Sequence, residues 1–494
     1  MKHLCCVFIA ILYHYLAIAG EYRFDFNANC HKAYGQLMAL HHEEAQETLK
    51  AELSKNPNNL IPIYLADYAD CLALLFNGDE SKLGLLKRQQ EERLSLIEQG
   101  NEDSPWYLFC RANIQLHGAL VHLRFGDHFR AATKFRKSFL LLKENSNQFP
   151  NFEENKVLFG LEQSIAGAIP DNYKWLGALL GVKGNIKKGV AELASYLNAH
   201  KEGTAAMQEE AMIYYAYLKF YLQSNPETAW RYINGSQFDE ENNIMRSFIK
   251  ANLALNYRKA ETAISILKKA EQIKGYEQYP ILKYELAEAL LAKLDPKCVA
   301  LYQQFLKDYK GQHFVKDALL KTAWMAYVQN NIKEANAIVA QIKSKGNMAT
   351  DADQQAQSFA EKPIWPLKSL LESKLLFDGG GYQKALTTLQ QIDKKQLGSI
   401  PNILEYNFRY GRLFEELQNN DKAILFYNAC IQMGRNRKEY FAARAALQKG
   451  FIYEKQGQQK LAIAAFKECL SMRSHHFQSS IDQLAKAGLN RLEE

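Results

Sequence analysis

The stretch LEYNFRYGRLFEELQNNDKAILFYNACIQM, residues 404–433, repeats its pattern 39 residues later. Gly411 is followed twelve residues on by Ala423, and Gly450 is followed at the same interval by Ala462. In each copy a polar turn separates two segments whose apolar residues recur with the period of an α-helix. Because a small residue lets two helices approach closely, we predict antiparallel helix pairs that cross at these positions.

This order of residues resembles the tetratricopeptide repeat, in which a small residue lies midway along helix A and an alanine begins helix B. The resemblance implies an all-α fold, namely a right-handed superhelical solenoid of antiparallel helix pairs. Residues 60–100 and 284–310 are also expected to be helical, but they fit the repeat spacing poorly. Weaker copies of the skeleton place their first small or aromatic residue at Ala33, Ala119, Tyr217, Ala251, Ala323 and Ser373.

Residues 159–193 carry a second resemblance, to a segment shared by the tetratricopeptide-repeat domain 39 and inclusion-body-clearance family. The residues that match in kind are Gly160, Pro170, Gly181, Gly184 and Gly189. Asn185 stands where that family has Asp, and Val182 where it has Phe. Residues 309–311, 321–324 and 371–380 are similar to uncharacterised exported repeat proteins of the Bacteroidetes group. These resemblances imply a fold and leave the activity open.

Residues 1–20 have the pattern of a secretory signal peptide, with Lys2 before an apolar run and the small-residue site Ala17-Ile18-Ala19-Gly20. An uncleaved signal anchor is the alternative. No later stretch is apolar enough to span a membrane, so we expect no membrane span in the chain after cleavage. We therefore expect export to the periplasm or cell envelope, where envelope association is possible.

The mature chain divides into an N-terminal helical array over residues 21–344 and C-terminal repeats over residues 367–494, which end in a capping helix. Between them, residues 345–366 are polar and contain Pro363 and Pro366. We interpret this stretch as a connector or a short extra helix.

Composition and motifs argue against catalysis. A net charge of +7 over 494 residues is too dilute for a nucleic-acid surface, so no nucleic-acid partner is expected. The sequence His41-His42-Glu43-Glu44 lacks the spacing of a zinc hydrolase. Residues 378–381 are glycine-rich, but no strand precedes them, which favours a helix–helix turn over a phosphate cradle. We predict no enzyme activity, no cofactor and no metal site.

Cysteines at equivalent repeat positions are expected to be packing residues. Cys430 and Cys469 occupy the position of helix B that is usually alanine. Equivalent positions in adjacent repeats lie about 10 Å apart or more, beyond disulfide reach. Burial as small apolar side chains is therefore predicted, with a disulfide as the alternative.

A partner is expected to bind along the concave groove that helices A line. Side chains three before, one after and four after the mid-helix small residue point there. Tight superhelical winding is the alternative, and it would bury them. Only Asn252 matches the carboxylate clamp of chaperone-binding relatives, so that clamp is not predicted. The groove candidates are Tyr214, Tyr221, Phe248, Asn252, Trp324, Tyr327, Lys374, Phe408 and Arg412.

The function predicted from these features is a non-catalytic scaffold or adaptor that mediates protein–protein interactions in the cell envelope. An accessory subunit that binds a glycan or peptide for an uptake system, with the aromatics as stacking surfaces, is the alternative. An enzyme built from scattered groove residues is a third hypothesis. The sequence leaves open the partner's identity, its pathway and the oligomeric state.

Overall fold

The computed structural model describes residues 21–169, 181, 183–201, 205–223 and 225–493. These residues form 24 α-helices and no β-strand, with a single isolated bridge between Arg23 and Asn59. The predicted all-helical solenoid is confirmed. The predicted signal peptide lies outside the described residues, as do Pro170 and Val182 of the second resemblance.

We number the helices α1–α24 along the described residues. The first twelve are Ala28–Met38, His42–Lys55, Ile61–Asn77, Leu83–Ile97, Pro105–Arg124, His128–Gln148, Asn155–Gly167, Ile186–Ala199, Gln208–Tyr217, Pro226–Ile233, Ile244–Asn256 and Ala260–Ala270. The other twelve are Ile281–Leu291, Cys298–Asp308, Val315–Val328, Ile332–Ile342, Asp351–Glu361, Lys368–Asp378, Tyr382–Gln390, Ile400–Glu416, Asn420–Gly434, Phe441–Lys455, Gln459–Ser471 and Gln478–Glu493. Neighbouring helices pack as antiparallel pairs from α1–α2 to α15–α16 and from α18–α19 to α22–α23. Helices α17 and α24 stand outside this pairing.

The turn that ends the first helix of a pair has the same backbone form in nine places. Seven residues after a buried small residue, the chain enters the left-handed region, which stops the helix and turns it back. The turn residues are Leu40, Gly78, Gly126, Arg258, Leu294, Asn330, Gly380, Gln418 and Gly457. The small residues that precede them are Ala33, Cys71, Ala119, Ala251, Ala287, Ala323, Ser373, Gly411 and Gly450.

The turn after α20 shows how the sequence encodes this form. The Asn419 N–H donates to the Phe414 carbonyl at 2.8 Å, closing the end of α20. The Asn419 side chain then accepts from the Lys422 N–H at 3.2 Å, capping the start of α21. One asparagine thus joins two helices of a pair.

Two regular pairs lie where the sequence fitted the repeat poorly. Helices α3–α4 and α13–α14 have the same turn, after Cys71 and Ala287. Their second helices carry Leu83 and Val299 at the position that is alanine in the C-terminal repeats. The larger residue hides the pattern in the sequence while the pair still forms.

The predicted small-residue crossings are confirmed. A Cβ atom on Gly411 would lie 2.3 Å from the Tyr427 ring, and one on Gly450 would lie 2.3 Å from the Phe466 ring. Ala423 and Ala462 are both fully buried. Because glycine has no Cβ atom, the aromatic ring at each crossing packs directly on the backbone of the neighbouring helix.

Packing is also confirmed as the role of the cysteines in the described residues. All six of these are buried and unbridged. Cys430 donates weakly to the Leu404 carbonyl at 3.5 Å, and burial raises the pKa of its thiol to about 12.

The solenoid winds tightly enough for distant turns to meet. The Tyr279 hydroxyl, between α12 and α13, donates to the Leu40 carbonyl at 2.8 Å. Further along, Arg258 pairs with Glu416 at 2.7 Å. A Cβ on Gly380 would lie 2.1 Å from the Arg258 carbonyl oxygen, so this contact requires glycine there.

The apolar core runs as one cluster from Cys30 to Leu375 and continues as separate clusters through the C-terminal repeats. Helix α17, within residues 345–366, buries Ala356 and Ala360 in a cluster with α15 and α16. None of the helices in the described ranges is long and apolar enough to span a bilayer.

Candidate functional site

The groove candidates of the N-terminal array lie on the inner surface, which is the side lined by the first helix of each pair, and several of them already contact other side chains. The Tyr214 hydroxyl donates to Glu210 at 2.7 Å. Phe248 packs edge-on against Phe76 of α3, with ring centroids 5.3 Å apart. Tyr221, by contrast, is 46% exposed.

Asn252 forms a hydrogen-bonded link between neighbouring pairs. It accepts from the Tyr217 hydroxyl at 3.3 Å and donates to Glu285 at 2.9 Å. Burial raises the pKa of Glu285 to about 7, although the bond from Asn252 opposes that shift. The side chain thus serves the packing of α9, α11 and α13.

The aromatic candidates of α15 are covered by neighbouring residues. The Tyr327 ring stacks on Trp365, with centroids 4.5 Å apart, and its hydroxyl donates to the Pro366 carbonyl at 2.8 Å. The Lys374 ammonium lies 5.3 Å from the centroid of the Trp324 ring. Each of these two rings therefore already has one face in contact with another side chain.

Lys374, Phe408 and Arg412 come together around a cavity of about 320 Å³ between α18, α20 and α22. The turn after α11 contributes Arg258, so the cavity joins the N-terminal array to the C-terminal repeats. The other lining residues are Ser373, Phe377, Asp378, Arg409, Leu413, Tyr440 and Arg444. We call this space the arginine cavity.

Four of the five cations that line the arginine cavity have carboxylate partners. The pairs are Arg258 with Glu416 at 2.7 Å, Lys374 with Asp378 at 2.8 Å, Arg409 with Glu405 at 2.8 Å, and Arg412 with Glu415 at 2.9 Å. These pairs hold their side chains in place and cancel their charge locally.

The Phe377 ring organises two of these arginines. The Arg258 guanidinium lies 4.8 Å from its centroid, and that of Arg412 lies 5.4 Å away. Such cation–π contacts keep guanidinium planes against an apolar wall.

Arg444 differs from the other cations because its guanidinium donates to no acceptor among the described residues. Burial lowers the pKa of Arg444, and the nearby Arg412 lowers it further. The Tyr440 hydroxyl, also in the lining, has no hydrogen-bond partner in the described part of the chain. The cavity therefore presents a charged donor and a neutral donor without acceptors.

The spacing rule gives four of the lining residues, the candidates Lys374, Phe408 and Arg412 together with Phe377, and it missed others. Arg444 lies six residues before Gly450, one helical turn ahead of the positions considered, so extending the series by one turn would have identified it. Arg258 reaches the cavity from a helix pair 158 residues from Glu416, and no local pattern reveals that contact.

Across the described ranges, no group of three His, Cys, Asp or Glu side chains is placed to hold a metal ion. His117 and Asp67 contact at 2.7 Å, but both are buried inside the N-terminal array. The arginine cavity, an accessible cluster of charged groups between helix pairs, is the candidate functional site.

Comparison with known proteins supports the repeat assignment at the C-terminal end. Residues 404–436 and 443–476 match the family model of the tetratricopeptide repeat. Among curated proteins, none matches the chain.

Solved structures with related helical arrays are similar only at low identity. The human IFIT1 dimer with PPP-AAAA shares 11% identity at a TM-score of 0.35, covering 94% of this chain and 90% of that one. The APC/C hetero-tetramer Cut9–Hcn1 shares 13% identity at a TM-score of 0.23, covering 92% and 88%. These alignments establish no function for this chain. What the family match and the crossing geometry establish together is that α20–α23 are tetratricopeptide repeats.

Proposed function

We propose that the chain is a non-catalytic scaffold of the cell envelope that binds a protein partner across the inner surface of α18, α20 and α22. Tetratricopeptide repeats generally mediate binding to protein partners. The observation that carries the proposal is the arginine cavity, where Arg444 lacks an acceptor although the neighbouring cations are paired. An unpaired, partly buried cation costs stability, which is expected where a partner supplies the missing group.

Envelope localisation is part of the proposal and is supported by the pattern of residues 1–20. N-terminal sequencing of the mature protein from fractionated cells tests it. A new N-terminus near Glu21 in an envelope fraction is expected. An intact Met1 in the cytoplasmic fraction would refute this part.

A glycan-binding role is less well supported, because two of the aromatic rings that stacking would use are already in contact with other side chains. Lys374 covers one face of Trp324, and Trp365 covers Tyr327. Protein binding through charged and mixed surfaces agrees better with this inner surface.

Photo-crosslinking tests the proposed surface in cells that produce the protein. A photoreactive phenylalanine analogue replaces Phe451, seven residues after the cavity-lining Arg444 on α22, or Leu425, which is 65% exposed on α21. We expect a specific adduct from position 451 and none from 425, since α21 is a second helix of its pair. Equal adducts at both positions, or none at 451, would contradict the proposal.

A further inference from the structure

We infer that the arginine cavity is an anchor site for one acidic side chain, Asp or Glu, within an internal segment of the partner. The inference depends on the proposed protein-binding function and names the chemistry of the group that docks. It comes from the pairing of charges around the cavity.

The charges in and beside the cavity leave one positive charge unmatched. Arg258, Lys374, Arg409 and Arg412 are each held by a carboxylate at 2.7–2.9 Å. Arg444 adds a fifth positive charge with no carboxylate of its own. One carboxylate neutralises that excess, whereas a doubly charged phosphate would leave the site with unmatched negative charge.

The free donors match a carboxylate in geometry as well as charge. A guanidinium presents parallel N–H groups that bind both oxygens of one carboxylate. The Tyr440 hydroxyl supplies a further donor in the same lining. The apolar atoms of Phe377, Phe408 and Leu413 provide a wall for the methylene groups of an Asp or Glu side chain.

The acidic side chains of this protein near α22 and α23 already pair with other residues. Glu454 accepts from Arg491 at 2.8 Å, and Glu468 pairs with Lys449 at 3.4 Å. We therefore infer that the carboxylate that pairs with Arg444 comes from another molecule.

An internal segment suits the cavity better than a chain end. The lining comes from three successive first helices, so inner surface continues on both sides of it. Trp324 lies beyond Lys374 on one side, and Phe451 follows on α22 on the other. A partner chain is therefore able to pass across the cavity and insert one side chain.

Binding to an array of short peptides tests the inference with the full mature chain. One set, acetylated and amidated at its ends, carries a central Glu in varied contexts, and a matched set with the same blocked ends carries Gln. A third set has no acidic residue but a free terminal carboxylate. We expect binding to members of the Glu set and a loss of about tenfold or more in their Gln counterparts.

The variant Arg444→Gln is expected to remove that preference for Glu over Gln, while Arg130→Gln, at an exposed arginine outside the cavity, keeps it. Tyr440→Phe gives a second reading, with a loss of about threefold. Equal binding of Glu and Gln peptides, no binding of the Glu set, or a requirement for the free terminal carboxylate would each overturn the inference. The proposed function fails separately, through the crosslinking result at position 451.

Discussion

Lys321 and Arg444 both lie on the first helix of a pair, yet their surroundings are opposite. Lys321, on α15 in the N-terminal array, contacts Asp317 at 2.7 Å and also pairs with Glu288. Burial alone would lower the pKa of Lys321, but the two carboxylates raise it overall. Arg444, on α22, has no such partner, and its pKa is lowered.

The difference indicates two uses of one repeating architecture. In the N-terminal array the inner surface is completed by the chain itself, through ion pairs, tyrosine hydroxyls and the packing of α3 against α11. In the C-terminal repeats the same surface carries an arginine, Arg444, that has no carboxylate partner among the described residues. We therefore interpret the array as a rigid support and the C-terminal repeats as the binding region.

The largest expected effect comes from Lys321→Met. The substitution leaves Asp317 and Glu288 buried without their cation, so the free energy of unfolding should fall by about 4 kcal/mol. Urea denaturation measures this. The triple variant that adds Asp317→Asn and Glu288→Gln should recover much of the loss, and a loss below about 1 kcal/mol for Lys321→Met would contradict a structural role.

A pH-dependent effect of intermediate size is expected at Glu162 in the N-terminal array. This carboxyl is fully buried and receives a hydrogen bond from Ser138, and burial raises its pKa to about 8. The unfolded chain loses this proton near the ordinary pKa of 4.5. The folded state therefore holds one more proton between those values, and stability falls as the pH rises through this window.

Glu162→Gln removes that dependence because the amide does not titrate. Relative to wild type, the variant should gain about 3 kcal/mol of stability between about pH 5 and about pH 8, with no further gain at higher pH. Unfolding at both pH values measures the difference. A constant offset between the two proteins would show that the pKa of Glu162 is ordinary.

Arg444→Met should act in the opposite direction to Lys321→Met. Removing an unpaired, partly buried cation should raise the free energy of unfolding by about 1 kcal/mol, while binding of acidic peptides is lost. The paired Arg412→Met is the matched control, expected to destabilise because Glu415 loses its partner. Destabilisation of both variants alike would remove the contrast on which the binding region is inferred.

The smallest effect compares one turn in the two matched repeats. Gln418 has a positive φ of 61° and is exposed, whereas the corresponding residue is Gly457. Gln418→Gly should stabilise by about 0.5 kcal/mol, since glycine adopts this conformation without strain. Gly457→Ala should destabilise by about 1 kcal/mol. Thermal unfolding measures both changes in stability. If both variants were stabilised, or both destabilised, the turn assignment would be contradicted.

The fold was predictable where the repeat skeleton is local. Gly411 with Ala423, and Gly450 with Ala462, lie twelve residues apart and give the crossing directly. The pair α13–α14 was not recognised as a repeat in the sequence because Val299 replaces alanine, although Ala287 and the turn at Leu294 are regular. The winding was not predictable, since the contact of Tyr279 with Leu40 depends on rotation accumulated over many pairs.

The site was predictable in part for the same reason. Lys374, Phe408 and Arg412 follow from their positions relative to a small residue, and the structure brings them to one cavity. Phe248 followed from the same rule but packs on Phe76. The spacing predicts on which side of a helix a residue lies. What packs against that side depends on helices that are distant in the sequence.

The contact of Arg258 with Glu416 makes the number of helix pairs between them a constraint on the protein. Solenoids commonly gain or lose whole units during evolution, because each unit touches only its neighbours. Here, duplication or deletion of a pair between α12 and α20 would rotate Arg258 away from the cavity it helps to enclose. Length variation among homologues should therefore concentrate outside that interval, and engineered extensions should be made at the ends of the array.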